Sequence, residues 1–493
     1  MSYMVQNEYT NSLPLSPMPT PPETSIFKQQ IHVHFAHEPT EDQDRLISEL
    51  ERFLKEKDGK QLFILKGYAG TGKTSVLGAF VKALTHFKVK TRLLAPTGRA
   101  AKVLSLKASK EAFTIHKQIY RRKSSVDESA GMGLAPNLHT NTVFIVDEAS
   151  MIADYSVLND GAVSSRNLLD DLMEYVYTGK NCRMIFLGDE GQLPPVGCDH
   201  SPALDANYLR NNYFGLTISE FSLTKVLRQS DESGILFNAT QLRSLEDEET
   251  PTFRTKGFKD FIRLPGDEFQ DTLESSYGNY GMEETMIITR SNKRANAYNN
   301  QIRARILWYE EPLCSGDCLM VVKNNYYWVD DQSKMGFIAN GESLKVIRVK
   351  RIEEMYGFEF ARVIVKFIDY DELPEMEVLV FMESLQVEAP SIPRQRLREL
   401  FYAIEQDHMY EKNKRKRYEK ILKDPYFNAL QVKYAYAVTC HKSQGGQWAS
   451  VFIDQGYIEP EAINKEYHRW LYTAITRASE KVYLVNFPEE YFE

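Results

Sequence analysis

Residues 60–75 read Lys60-Gln-Leu-Phe-Ile-Leu-Lys-Gly67-Tyr-Ala-Gly-Thr-Gly-Lys73-Thr-Ser75. An apolar run, Leu62–Leu65, predicts a buried strand, and Gly67–Thr74 matches the spacing G-x-x-x-x-G-K-T of a phosphate-binding loop that opens a helix. Glycine lets backbone N–H groups turn inward around phosphates, and the following helix N-terminus adds favourable partial charge. Gly67, Tyr68, Ala69, Gly70, Thr71, Gly72, Lys73, Thr74 and Ser75 are therefore the candidate nucleotide cradle. In it Lys73 reaches the β- and γ-phosphates and Thr74 ligates Mg²⁺. A chance glycine-rich turn would not need a strand before it and a helix after it.

Working outward, further apolar strands alternate with helical stretches at Arg92–Ala95, Val143–Val146 and Met184–Leu187. This pattern predicts a parallel sheet covered on both faces. Phe144-Ile-Val-Asp147-Glu148 ends one of these strands in two acids. There Asp147 would hold Mg²⁺ and Glu148 would orient and deprotonate water. The next strand runs into Gly188-Asp-Glu-Gly-Gln192-Leu-Pro-Pro, where the Gln192 amide can sense a γ-phosphate. Arg228 and Arg477 lie well outside this first sheet region. Planar arginine donors stabilise the charge of a departing phosphoryl group. If a second domain supplies them, the site is complete only when two domains close.

A second strand series follows, at Met286–Thr289, Tyr434–Thr439, Val451–Asp454 and Val482–Val485. It is interrupted by an insertion, 312–430, whose first part reads as short strands of a small barrel (Leu319–Lys323, Ser343–Val349, Arg362–Phe367, Glu377–Phe381) and whose second part, 393–424, reads as charged helix. Five prolines between Pro14 and Pro22 mark residues 1–38 as a mobile tail with a short ordered piece at Ile31–Phe35. Thr40 is the expected N-cap of a helix on which the apolar residues Leu46, Ile47, Leu50, Phe53 and Leu54 recur at helical spacing.

The 493 residues, 43% hydrophobic and 26% charged, describe a multidomain globular chain. No apolar run or N-terminal leader points to a membrane or to secretion, so the expected location is cytoplasmic. Cys314 and Cys318 lack a companion pair at zinc spacing, and reduced thiols are expected. A net charge of −8 leaves nucleic acid open as a partner, because eight Lys or Arg against Glu111 alone lie between Arg99 and Lys123.

The ordered segments G-Y-A-G-T-G-K-T, L-A-P-T-G-R-A-A, T-I-H, V-D-E-A-S, G-D-E-G-Q-L-P-P-V, L-R-Q-S, A-V-T-C-H-K-S-Q-G and Y-T-A-I-T-R-A resemble superfamily 1 helicases. The closest likeness is to the RecD and Dda group, which moves 5′ to 3′. The resemblance implies an α/β chain with two RecA-like domains, 39–222 and 223–311 plus 431–493. It also implies a pin insertion at 117–140 and an SH3-like barrel with a helical extension at 312–430. ATP and Mg²⁺ are the implied cofactors, with Gln43 on adenine and Gln444 coupling to the nucleotide. Single-stranded DNA and its junctions with duplex are the implied partners, along with DNA-repair, recombination or replication proteins, for a chain acting as a monomer. Pro96, Thr97, Arg99, Thr114, His116, Asn292, Thr439, His441 and Lys442 correspond to the family's strand contacts. Gly98 matches RecD-like members, and Ser124–Thr140 offers no aromatic wedge. An RNA helicase, a regulatory ATPase subunit and a small-molecule kinase remain as alternatives.

Overall fold

The computed structural model describes residues 26–35, 38–56, 59–122, 132–155, 167–226, 232–329, 335–370 and 372–493. Thr40 caps the helix Glu41–Lys55 through a capping box: its hydroxyl accepts from Gln43 N–H, and the Gln43 side chain accepts from Thr40 N–H. Leu46, Ile47, Leu50 and Phe53 of this helix are buried against the first sheet. Preceding it, Ile26–Val33 is helical and sends Ile31 into the same core, with Phe27 edge-on to Phe80. Part of the expected tail is thus docked, because its spaced apolar residues found a partner surface.

The first lobe is a six-stranded, all-parallel sheet. Its order is Ala112–Thr114, Lys90–Ala95, Thr142–Val146, Arg183–Gly188, Lys60–Gly67, Leu216–Leu223. The last strand escaped the sequence reading because it is an edge strand whose burial alternates. The expected 117–140 insertion contains a short antiparallel hairpin, Tyr120–Arg122 with Met132–Leu134; its segment 123–131 lies outside the described residues.

A second all-parallel sheet has the order Ala437–Thr439, Thr285–Thr289, Trp448–Asp454, Ala478–Val485, Phe261–Leu264. The segment expected as one strand, Tyr434–Thr439, is divided. Val432–Tyr434 pairs with Cys318–Val321 of the insertion, and Ala437–Thr439 joins the second lobe. The inserted sheet therefore reaches to Tyr434, past the expected limit at 430. Its five strands, Met376–Phe381, Phe358–Phe367, Ser343–Met355, Cys318–Val321 and Val432–Tyr434, are antiparallel neighbours. Leu430 bridges back to Val380, which curls the sheet towards closure.

The barrel shares one continuous core with the second lobe, running from Ile287 and Ile302 to Leu344, Val363 and Val380. The helices Arg394–Asp407 and Lys414–Leu422 lay Leu400, Ile404 and Ile421 on Phe358, Phe360 and Phe381. The charged extension is thus packed on the barrel by its apolar side.

Candidate active site and strand interface

In both parallel sheets the chemistry-bearing residues follow the carboxyl ends of strands, where open α/β sheets bind ligands. Gly70 and Gly72 adopt φ of +76° and +82°, so the loop takes a left-handed path. A side chain at Gly70 would also strike Leu236, 2.9 Å from the ideal Cβ, on a helix of the second lobe. Only glycine satisfies both the turn and this close approach. The Lys73 ammonium bonds the carbonyls of Gly67 and Tyr68 and stands 3.8 Å from Asp189. Thr74 is partly exposed at the loop end, whereas Ser75 faces solvent. Gln43 is buried, and its amide nitrogen donates to the Thr71 carbonyl at 3.2 Å, so in this arrangement it braces the loop from beneath.

Asp147 accepts a hydrogen bond from Glu148 N–H at 2.9 Å, and Glu148 sits at φ 51°, ψ 36°, a left-handed conformation rare for glutamate. Strain of this kind concentrates at functional sites. Burial in the cleft raises both carboxyl pKa values, and Lys73 opposes the shift at each; Arg477 further opposes it at Glu148. The Thr74 hydroxyl and the Asp147 carboxylate are oxygen donors of the kind a hard divalent cation takes.

Arg477 closes the cleft from the other lobe. It follows the helix Lys465–Ile475, is 5% exposed, and lies 4.0 Å from Glu148. Its guanidinium is held by the carbonyls of Thr473 (3.0 Å) and Gly446 (3.3 Å) and by the Thr476 hydroxyl (3.2 Å). Arg228, the other expected arginine, lies outside the described residues. Gln192 is buried with Oε1 unpaired among the described residues. An unpaired buried amide is costly unless a ligand completes it.

Gln444 reaches the nucleotide side indirectly: its amide donates to the Leu193 carbonyl at 2.7 Å. Residues not anticipated from the sequence complete this seam. Tyr472 and Thr473 hydrogen-bond the first lobe at Ala69, Asp189 and Leu193, and the Arg243 guanidinium lies 3.9 Å from the Tyr68 ring centre. Tyr472 lay within a quoted motif, but nothing in the sequence indicates which way a tyrosine on a helix points.

The expected strand contacts fall into two groups. Asn292, Thr439 and Lys442 line one groove of the second lobe, together with Lys433, which was not anticipated. Among the described residues, no carboxylate lines this groove. Burial lowers the pKa of both lysines, that of Lys433 to about 8, aided there by the charge of Lys442. His441, next in the chain, is also lowered by burial.

The first-lobe group is engaged differently. Thr97 caps its helix by accepting from Ala100 N–H at 3.2 Å, and Pro96 precedes it half-buried. Arg99 donates to the Gln447 carbonyl at 2.7 Å and stacks 4.5 Å from the Trp448 ring, so it clasps the second lobe. Thr114 is buried as an N-cap. His116 meets Phe337 of the barrel edge-on, and burial lowers its pKa to about 4, leaving the ring uncharged at neutral pH.

Comparison with known proteins agrees with this geometry. Residues 41–258 match the family model described as an AAA domain, and residues 434–485 match the UvrD-like helicase C-terminal domain. Protein R530 of Acanthamoeba polyphaga mimivirus is 24% identical, over 88% of this chain and 97% of its own length. The ATP-dependent DNA helicase dda of Enterobacteria phage T4 is 25% identical, over 66% of this chain and 69% of its own. Among solved structures, a Pif1 helicase from Bacteroides in complex with ADP-AlF3 and ssDNA is 15% identical, with a TM-score of 0.44 over 92% of this chain and 94% of that one. The phosphate loop is faced by a second parallel-sheet lobe, and the two matched models fall on the two sides of that cleft: the chain is similar to superfamily 1 helicases, in their RecD/Dda-like group.

Proposed function

We propose that the chain is an ATP-dependent DNA helicase and translocase that moves 5′ to 3′ along single-stranded DNA and opens duplex ahead of it. The observation that carries this reading is the 4.0 Å approach of Arg477, from the second lobe, to Glu148 of the first. Groups on two lobes that meet over one phosphate loop make hydrolysis conditional on lobe closure, and opening after product release is then a mechanical step.

In this mechanism Lys73 and the loop amides hold the triphosphate, and Gln192 reads its end. Glu148 takes the proton of the attacking water as the water oxygen bonds the γ-phosphorus and the bond to ADP breaks. Its raised pKa makes Glu148 a stronger base than a free carboxylate. Arg477 and Arg228 are assigned to the charge that builds on the transferred group. Thr74 and Asp147 would hold Mg²⁺, which would supply neutralisation of the phosphate charge. Hydroxyls, amides and lysines at Thr97, Asn292, Thr439 and Lys442 hold the strand by its phosphates and sugars, which fixes position without reading sequence. The proposed division is a first motor lobe at 39–222, a second at 223–311 and 435–493, and an inserted barrel with its helices at 312–434; the substrates are single strands and their junctions with duplex.

Unwinding of duplexes bearing a 5′ or a 3′ tail, in DNA and in RNA versions, tests the reading. Opening of 5′-tailed DNA alone is expected. Equal opening of RNA would identify an RNA helicase, and strand-stimulated hydrolysis without opening would identify a regulatory ATPase.

A further inference from the structure

We propose that Tyr472 is a positioning residue through which the strand-binding part of the second lobe acts on the phosphate loop of the first. Tyr472 projects from the helix Lys465–Ile475 and is 2% exposed. Its hydroxyl donates to Asp189 Oδ2 at 2.7 Å and accepts from the Ala69 N–H at 2.8 Å. One phenol thus bonds the loop backbone and the carboxylate that stands 3.8 Å from the Lys73 ammonium. Burial holds the phenol well above its usual pKa, so the proton it gives Asp189 is always present. The ring is seated as well: a Cβ at Gly191 would lie 3.0 Å from it, and Asp189 Oδ1 accepts the Gly191 N–H at 2.9 Å.

The contact does not stand alone. The neighbouring Thr473 hydroxyl accepts from Leu193 N–H at 2.8 Å, and the Leu193 carbonyl accepts from Gln444 at 2.7 Å. Gln444 directly follows Thr439–Ser443, the segment that carries the strand-contact candidates Thr439, His441 and Lys442. The Thr473 carbonyl in turn accepts from Arg477 Nε at 3.0 Å. A continuous path therefore runs from the strand segment through Gln444, Leu193 and Thr473, along the chain to Tyr472, and on to Ala69 and Asp189, with Lys73 ion-paired to Asp189. Each hydrogen bond on this path crosses between lobes, so the path exists as a whole only when the cleft is closed. A physical path is a warrant for coupling only if both ends bias its two arrangements, and that can be measured.

The inference rests on the motor reading, and the experiment separates the two. The full chain and its Tyr472→Phe variant are assayed for ATP hydrolysis with and without a thymidine oligonucleotide, alongside melting temperature and oligonucleotide affinity in the absence of nucleotide. Phenylalanine keeps the packing and removes both hydrogen bonds of the hydroxyl, one of them to a charged group, so the strand-stimulated kcat should fall about tenfold. The KM for ATP should stay within about twofold, the signature of an interaction made chiefly in the transition state. The ratio of stimulated to strand-free turnover should fall, and melting temperature and oligonucleotide affinity should hold. Asp189→Asn should lower the ratio likewise, and the double variant should be no worse than Asp189→Asn alone. Should Tyr472→Phe fail to fold, Thr473→Val, which cuts the adjoining bond to Leu193, is expected to lower the same ratio. Wild-type stimulation in Tyr472→Phe, or an equal loss of stimulated and strand-free turnover with a lower melting temperature, would overturn the inference. Absence of stimulation in the unsubstituted chain would sink the motor reading itself.

Discussion

Towards the second lobe, the first lobe presents matched donors and acceptors: Ala69, Asp189 and Leu193 to Tyr472, Thr473 and Gln444, and Arg99 to Gln447 and Trp448. Towards the barrel it presents Gly98, against which Glu342 is pressed so closely that a Cβ would lie 2.4 Å from the carboxylate. Glu342 is 2% exposed, receives one hydrogen bond from Tyr370 at 3.0 Å, and leaves Oε2 unpaired among the described residues. Burial and the neighbouring Asp369 push its pKa up to about 8. A seam of paired polar groups can part and re-form in the same register, which suits a cleft that cycles. A seam around a buried acid short of partners is tuned by protonation. Lys102 adds a bond there, to the Ile368 carbonyl at 2.9 Å. The barrel shares its core with the second lobe and meets the first across this seam, so it should travel with the second lobe.

The largest effect that would break this comparison lies in the paired seam. Arg477→Ala should lower strand-stimulated kcat by about a thousandfold with ATP affinity little changed, the loss expected of an arginine that serves the transition state. Glu148→Gln should bind ATP and strand yet turn over poorly; a wild-type rate in single-turnover assays would remove Glu148 from the base role.

The barrel seam should respond to pH. Unfolded, Glu342 titrates in the ordinary carboxyl range; folded, it holds its proton up to about pH 8. The folded state therefore binds more protons between those values, and stability falls as pH rises through that window. Below it both states are protonated and nothing is lost. Glu342→Gln should raise the melting temperature by a few degrees at pH 9 and leave it unchanged at pH 4. Equal shifts at both pH values would show that packing, not ionisation, is responsible.

The smallest effect concerns Arg99. If it serves the seam, Arg99→Ala lowers stimulated turnover by about threefold, the scale of a cation–π contact with a hydrogen bond, and the dependence of strand affinity on salt stays the same. Were it a phosphate contact instead, the slope of log affinity against log salt would drop by about one.

Much of this was legible in the chain because it is local. The strand, loop and helix around Lys73, the acids after Val146 and the capping box at Thr40 are each set by neighbours a few residues away. The parallel strands of both lobes were also readable where they are wholly apolar, while the alternating edge strand Leu216–Leu223 was not. The division of 432–439 between two sheets escaped notice because an apolar run does not say with which strand it pairs.

By itself the sequence determined where the glycine loop of a phosphate-binding pattern lies, which acids follow the neighbouring strand, and that two parallel sheets accompany an antiparallel insertion. Spacing and polarity along the chain suffice for that. Tertiary structure alone decided that Arg99 and Gln444 bind across the lobes, that His116 packs against Phe337 of the insertion, and that Tyr472 touches the phosphate loop 403 residues away. These contacts depend on how separately folded lobes meet, and the partners of a side chain at such a surface are encoded far from it in the chain.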